Sequence, residues 1–276
     1  MKCIDGKSVA QQLRLQLKEK IDREEEQPGL AVVIVGDDPA SQVYVRNKIK
    51  ACKDLGIQSY CYALSESATQ EEVEGVLDKL AIDERVHGIL LQLPLPKHLD
   101  AERASLHIPF EKDVDGFSAQ NLGLLLQGKQ EIAPCTPSGI MKLLEWEGVE
   151  LSGKHAVVIG RSETVGKPMA LLLLQANATV TVCHSKTANL KDHCQQADIL
   201  ISAVGKDGFV TADMVKEGAV VIDVGMNRNA EGKLCGDVDF EGVKEKASLI
   251  TPVPGGVGPM TITMLLYNTY ARFKRK

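Results

Sequence analysis

Two runs of consecutive β-branched and aliphatic residues, each closing on a glycine, constrain this chain most: AVVIVG (31–36) and HAVVIG (155–160). Neither alternates with polar residues, so neither offers a face to water. Strands of that kind are covered on both sides, as in parallel sheets wrapped by helices. Their surroundings keep to the same plan. SVAQQLRLQLKEKIDREE carries Val9, Leu13 and Leu17 on one helical stripe, and SQVYVRNKIKACKDLG reads as a helix between the Asp37-Asp38-Pro39 turn and Gly56. The strand IQSYCYALS follows. Thr69 and Glu72, in capping-box spacing, then open EEVEGVLDKLA, and HGILLQLPLP is a further buried strand closed by prolines.

The second half repeats the alternation with HAVVIG, a loop and helix, TVTVCHS, NLKDHCQQA, DILISAVG, VVIDVG and SLITPV, and ends in the apolar helix TITMLLYNTYARF. Between the halves, FEKDVDGFSAQNLGLLLQGKQEIAPCTPSG carries turn signals and one helix, and Thr136-Pro137 starts another that stops at Gly148. The expected fold class is therefore α/β, as two units joined near residues 130–150 with a ligand cleft between them.

Composition narrows the partners. A chain of 276 residues, 44% hydrophobic, can bury one large core or two modest ones, and a net charge of −5 lacks the basic footprint of a nucleic-acid binder. No apolar run reaches membrane-spanning length and the N-terminus lacks a signal-type segment, so a cytoplasmic protein is expected. The seven cysteines contain no C-x-x-C pair. Cys61 and Cys183 lie inside apolar runs and read as reduced core thiols, and no metal is expected.

The loop GRSETVGKP (160–168) stands where α/β proteins hold the pyrophosphate of a dinucleotide. Against G-x-G-x-x-G, Gly160 fills the first position, Ser162 the second and Val165 the third, with Gly166 one step late. An NAD site places an acidic residue roughly 20 positions after the first glycine. Here TVTVC ends in His184-Ser185-Lys186, with no carboxylate. Serine donors and a cation, with Arg161 in the loop, suit a ribose phosphate, which favours NADP. SAVGK and DVGMN, with Gly205 and Met226, end the next two strands at the edge where ligands bind, although each glycine can equally just turn the chain.

In the first half, Tyr44 and Lys48 share one helical face directly after a strand, a pattern that solvated surface also produces. Gln92 is an amide in an apolar run and must find partners, in a site or in a neighbouring strand. Asp113 and Asp115 in KDVDG read as an Asx-turn pair or a clasp for a heterocycle, and as metal ligands they lack a third ligand at fitting spacing. PVPGGVGPMT is either a ligand-approaching loop or a rigid hinge.

In order, VGDDPASQVYVRNKIKAC, LLQLPLP, KDVDGF, PCTPSGI, GRSETVGKP, CHSKT, DVGMN and TPVPGGVGPMT span nearly the whole chain. Together they closely resemble the bifunctional methylenetetrahydrofolate dehydrogenase/methenyltetrahydrofolate cyclohydrolase family. The resemblance implies two α/β domains around a cleft: residues 1–138 completed by a C-terminal helix at 257–276, and a Rossmann-like NADP-binding domain at 139–256. It also implies a homodimer with a folate substrate and NADP. Hydride leaves the methylene carbon bridging two folate nitrogens, and water then opens the methenyl cation to formyltetrahydrofolate.

Residue by residue, the resemblance makes Lys48 the catalytic lysine, Gln92 the glutamine that positions it, Tyr44 the ring that stacks on the substrate, and Asp115 the carboxylate that holds the pterin. Leu91 and Leu93 flank Gln92, and Pro254, Gly255, Gly256, Val257 and Gly258 form the folate-side loop. Gly160, Arg161, Ser162, Gly166, Ser185, Gly205 and Met226 fall on the cofactor side. Ser118 departs from the family's more usual residues after DGF. The rivals are a single-activity dehydrogenase, a shikimate-type oxidoreductase, and a non-catalytic NADP-binding regulator. The first has less need of Lys48 with Gln92, the second would lack KDVDG and PVPGGVGP, and the third has no use for Tyr44, Lys48 and Asp115 together.

Overall fold

A computed structural model describes residues 2–275. Along the chain run β1 (Lys2–Cys3), α1 (Gly6–Ile21), β2 (Gly29–Val35), α2 (Pro39–Leu55), β3 (Gln58–Leu64), α3 (Gln70–Ile82), β4 (Gly88–Leu91), α4 (Ala101–Ser105), α5 (Ala119–Leu126) and α6 (Cys135–Trp146). There follow β5 (His155–Ile159), α7 (Gly166–Gln175), β6 (Thr179–Cys183), α8 (Leu190–Cys194), β7 (Ile199–Ser202), β8 (Val220–Asp223), β9 (Asn227–Arg228), β10 (Leu234–Cys235), α9 (Phe240–Val243), β11 (Leu249–Ile250) and α10 (Val257–Phe273).

The chain divides into two compact units. The three-stranded unit comprises Gln12–Leu124, Lys129–Cys135 and Leu265–Lys276. Its sheet, in the order β3-β2-β4, is parallel throughout. All seven residues of the central β2 are buried, whereas β3 at the edge alternates between exposed and half-buried positions. β2 is paired on both edges and buried along its whole length, which is why its sequence is an unbroken apolar run. β4 stops at Leu91 because Pro94 and Pro96 have no N–H to continue a ladder.

The six-stranded unit comprises Met1–Gln11, Leu125–Gly128 and Thr136–Met264. Its strands lie in the order β1-β11-β8-β7-β5-β6, and every pairing is parallel. From β5 the chain goes outward to β6 and then returns to the other side of β5 as β7. The carboxyl ends of β5 and β7 therefore flank the reversal point of a doubly wound sheet, the usual ligand position.

Local signals act as the sequence predicts where capping is involved. The Asp38 carboxylate accepts from Ser41 N at 2.7 Å, with Pro39 at the start of α2. Thr69 Oγ1 accepts from Glu72 N at 3.2 Å while the Glu72 carboxylate accepts from Thr69 N at 2.8 Å, completing the capping box of α3.

β1 adds a parallel edge to β11, so residues 2–11 pack with the six-stranded unit. Two residues are too short to carry a hydrophobic period. One expectation needs correction: Cys61, read as a core thiol, is exposed, because it sits on the edge strand β3, whereas Cys183 is buried as expected. The segment from Phe110 onward holds one helix before α6, namely α5, as expected; the short α4 lies before it and is capped by Asp100, whose carboxylate accepts from Arg103 N at 2.9 Å.

Candidate active site

α2 starts directly after β2, and its capped first turn fixes the face on which Tyr44 and Lys48 stand. Lys48 Nζ donates to Gln92 Oε1 at 3.0 Å. Gln92 is itself held: its backbone N–H donates to Val33 O at 2.8 Å, and its Nε2 to Leu93 O at 2.6 Å. With the amide hydrogens turned to Leu93, the carbonyl oxygen is left to face the lysine.

Burial lowers the Lys48 pKa below the ordinary lysine value, against the opposing charge of Asp115 and a smaller influence from Cys135. Burial also pushes the Asp115 carboxyl up to about 6, while Lys48 pulls it down and Asp113 pushes it further up. The two groups thus move toward one another on the pH scale, as acid–base partners do.

KDVDG divides its two aspartates between two tasks. Asp113 is buried and accepts from Gly116 N at 2.9 Å, Ser118 N at 2.7 Å and Asn121 Nδ2 at 2.9 Å. It is an Asx-type staple that fixes the loop. Asp115 is left to act on Lys48. Among the described residues no group of three or more His, Cys, Asp or Glu side chains could hold a metal ion.

Sequence reasoning missed two neighbours. Cys135 is buried and its thiol points to Val114 O (3.4 Å) and Asp115 Oδ1 (3.9 Å). Burial and then the charge of Asp115 raise its pKa well above the ordinary thiol value, so it stays a protonated donor and not a nucleophile. Asn268 of α10 donates to Val114 O at 2.8 Å and Ala133 O at 3.1 Å, tying together the loops on either side of Asp115. The available signal was a lone amide in the apolar stretch TITMLLYNTYARF. Leu91 is buried, while Tyr44 and Leu93 each keep more than a third of their surface open, at 37% and 45%.

In the six-stranded unit, β5 and β6 pair with Ile159 opposite Cys183, so Gly160 and Arg161 emerge beside His184 and Ser185. Arg161, Ser162 and Ser185 are exposed. Gly160 has φ +128°, and a Cβ there would stand 2.4 Å from Ala203 O, beyond the end of β7. A Cβ on Gly166 would stand 2.2 Å from Gly160 O. Gly166 thus does the work of the fingerprint's third glycine, bringing α7 close against β5, although it comes one residue late. Ser162 Oγ accepts from Val165 N at 3.2 Å and Gly166 N at 3.4 Å, which closes the turn and leaves its own proton to donate. A phosphate-bearing dinucleotide fits this cradle.

Pro254, Gly255, Gly256, Val257 and Gly258 also belong to the six-stranded unit, where the loop packs on the start of α1: a Cβ on Gly6 would stand 1.9 Å from Gly256 O. Gly258 lies beside Met226, with its Cβ position 3.6 Å from Met226 Cε. Gly205 turns the chain after β7. Lys48, Gln92, Tyr44 and Asp115 all belong to the three-stranded unit.

Residues 4–115 match the model of the tetrahydrofolate dehydrogenase/cyclohydrolase catalytic domain, and residues 134–276 match that family's NAD(P)-binding domain. The chain belongs to the tetrahydrofolate dehydrogenase/cyclohydrolase family. It is 57% identical over 271 residues to the bifunctional protein FolD of Nitrosospira multiformis, covering 97% of this chain and 94% of that one. The crystal structure of the bifunctional enzyme FolD-methylenetetrahydrofolate dehydrogenase/cyclohydrolase from Campylobacter jejuni superposes with a TM-score of 0.96, at 50% identity and with both chains fully covered. The methylenetetrahydrofolate dehydrogenase-cyclohydrolase of Trypanosoma brucei, solved with NADP cofactor and inhibitor, follows at TM-score 0.94 and 41% identity, with 99% of this chain and 97% of that one covered. The family's catalytic domain contains the Lys48–Gln92 pair, and its NAD(P)-binding domain contains the Gly160–Gly166 cradle.

Proposed function

We propose that this chain oxidises methylenetetrahydrofolate to methenyltetrahydrofolate with NADP and hydrolyses that product to formyltetrahydrofolate. The observation that carries the reading is the 3.0 Å contact between Lys48 Nζ and Gln92 Oε1, with Asp115 charge-coupled to the same amine. NADP, when bound, supplies the hydride acceptor. Gly160, Arg161, Ser162, Gly166, Ser185, Gly205 and Met226 hold it, and the missing carboxylate after β6 favours the phosphorylated cofactor.

On the folate side, Tyr44 offers a ring for stacking and Asp115 a carboxylate for a planar pair of N–H donors. Leu91 and Leu93 flank Gln92, and residues 254–258 supply the other folate contacts. In the hydrolysis, water adds to the methenyl carbon and one C–N bond breaks. Lys48, lowered in pKa by burial, takes the proton of the attacking water and returns one to the departing nitrogen. Gln92 holds the amine in line for both transfers.

The protein works as a cytoplasmic homodimer in this reading. The seven-residue edge strand β3 supports it, being an open template for a second copy. No helix among the described residues is long and apolar enough to cross a membrane.

The test is a steady-state assay with methylene- and methenyltetrahydrofolate, each with NADP and NAD. Both reactions, with NADP preferred, are expected. Oxidation without hydrolysis of the methenyl substrate would reduce the protein to a single-activity dehydrogenase, and binding of NADP without turnover would make it a sensor.

A further inference from the structure

At the end of β8 and in the segment before α9, the six-stranded unit contains two buried carboxylates that the proposed chemistry does not use. Asp237 is fully buried and Asp223 nearly so. Four donors converge on Asp237: Ser202 Oγ (3.2 Å) and Val204 N (2.7 Å) on Oδ2, and Lys206 N (2.9 Å) and Asn227 Nδ2 (2.9 Å) on Oδ1. None of the four is a cation. Asp223 in turn accepts from Gly225 N (2.9 Å), Asp237 N (2.8 Å) and Val238 N (2.9 Å), which pins the segment carrying Asp237 to the end of β8.

The carboxylates occupy slots that only glycine leaves open. A Cβ on Gly225 would stand 2.3 Å from Asp237 Oδ1, and one on Gly236 would stand 1.8 Å from Asp223 Oδ2. Two carboxylates this close and this dry are costly to hold charged. Burial, and then the charge of Asp237, push Asp223 up to about 6 even against its three N–H donors. An ordinary core would use neutral groups here. What a carboxylate provides, and an amide does not, is acceptor capacity for all four donors at once.

Ser202 ends β7, and the other three donors lie at the two turns that hold Gly205 and Met226. Val204 and Lys206 flank Gly205, and Asn227 follows Met226. The geometry points to Asp237 as a positioning residue for the cofactor: it locks both turns in one conformation and so sets NADP affinity without touching the nucleotide. This rests on the NADP reading above.

The decisive variant is Asp237→Asn, which keeps the shape but turns an N–H₂ group toward converging donors. Three quantities separate the possibilities: the NADPH dissociation constant by fluorescence titration, dehydrogenase kcat at saturating NADP, and hydrolysis of methenyltetrahydrofolate without nucleotide. Hydrogen bonds to a charged group are worth enough that the dissociation constant and the NADP KM should rise roughly tenfold or more. Dehydrogenase kcat at saturation and the hydrolysis rate should stay near wild type. Asn227→Ala, which removes one donor and leaves the carboxylate in place, should show the same split on a smaller scale and serves if Asp237→Asn does not fold. Unchanged NADPH affinity in a folded variant, or a parallel loss of both activities with no shift in KM, would overturn the inference. Wild-type protein that bound no NADPH would overturn the NADP reading itself.

Discussion

Asp115 shows how one side chain can be assigned two properties by its surroundings. It is half-buried, its loop is fixed by Asp113 and Asn268, and its carboxyl is pushed up to about 6 by burial. In the proposed role its charged form accepts from the pterin, and protonation removes that acceptor. Folate kcat/KM should therefore fall as the pH drops through about 6, and the limb should vanish in Asp115→Asn, measured as pH profiles of both activities. Asp115→Ala should weaken folate in both reactions and leave NADP affinity near normal. Arg161 is proposed to act on the other ligand. Losing a charged contact to a phosphate costs about 1.5–3 kcal/mol, or roughly 10- to 150-fold. Arg161→Ala should lower kcat/KM for NADP by that order and leave NAD little changed, and equal wild-type values for the two cofactors would remove the assignment.

At the level of elements, the β5–loop–α7 unit depends on two close approaches, and a methyl group at either is enough to test them. Gly166→Ala would drive its Cβ into Gly160 O and force α7 off the strand, so NADP binding should fall at least tenfold by titration while nucleotide-free hydrolysis persists. Thr69→Ala removes one half of a capping box on α3, which carries none of the site residues, and should cost about 0.5–2 kcal/mol in chemical denaturation with no change in kcat. These elements were legible in the sequence because their causes are local: a capping residue, a proline at a helix start, an apolar run with no polar face. β1 and α4 were not, since two residues of strand or five of helix carry no period. Cys61 misled for the same reason in reverse, because an edge strand looks apolar in sequence and is open on one side in the fold. In the site, Tyr44, Lys48, Gln92 and Asp115 could be named from motifs, but Cys135 and Asn268 matter only through contacts between distant segments. Spacing along the chain does not encode those contacts.

On the scale of the whole molecule, the chain combines a three-stranded unit containing the Lys48–Gln92 pair proposed for proton transfer with a six-stranded unit containing the Gly160–Gly166 cradle proposed for the cofactor. A homodimer of 29.9 kDa chains should scatter light as about twice that mass, and a monomer at assay concentration would count against the open edge of β3 as an interface. The two activities make different demands. Oxidation needs its partners held in register, which binding residues supply. Hydrolysis also needs water activated and a proton moved, help usually worth about 10²- to 10⁴-fold. Replacing Lys48 by Met keeps the stem and removes the amine that Gln92 holds. The most direct measurement is therefore a paired progress curve on Lys48→Met and wild type, started from methylenetetrahydrofolate and NADP, with the methenyl absorbance followed and formyltetrahydrofolate assayed at the end. The methenyl species should accumulate in the variant with little formyl product, while oxidation continues at a measurable rate. A variant that hydrolyses methenyltetrahydrofolate at the wild-type rate would contradict the account and return Lys48 to an ordinary helix surface.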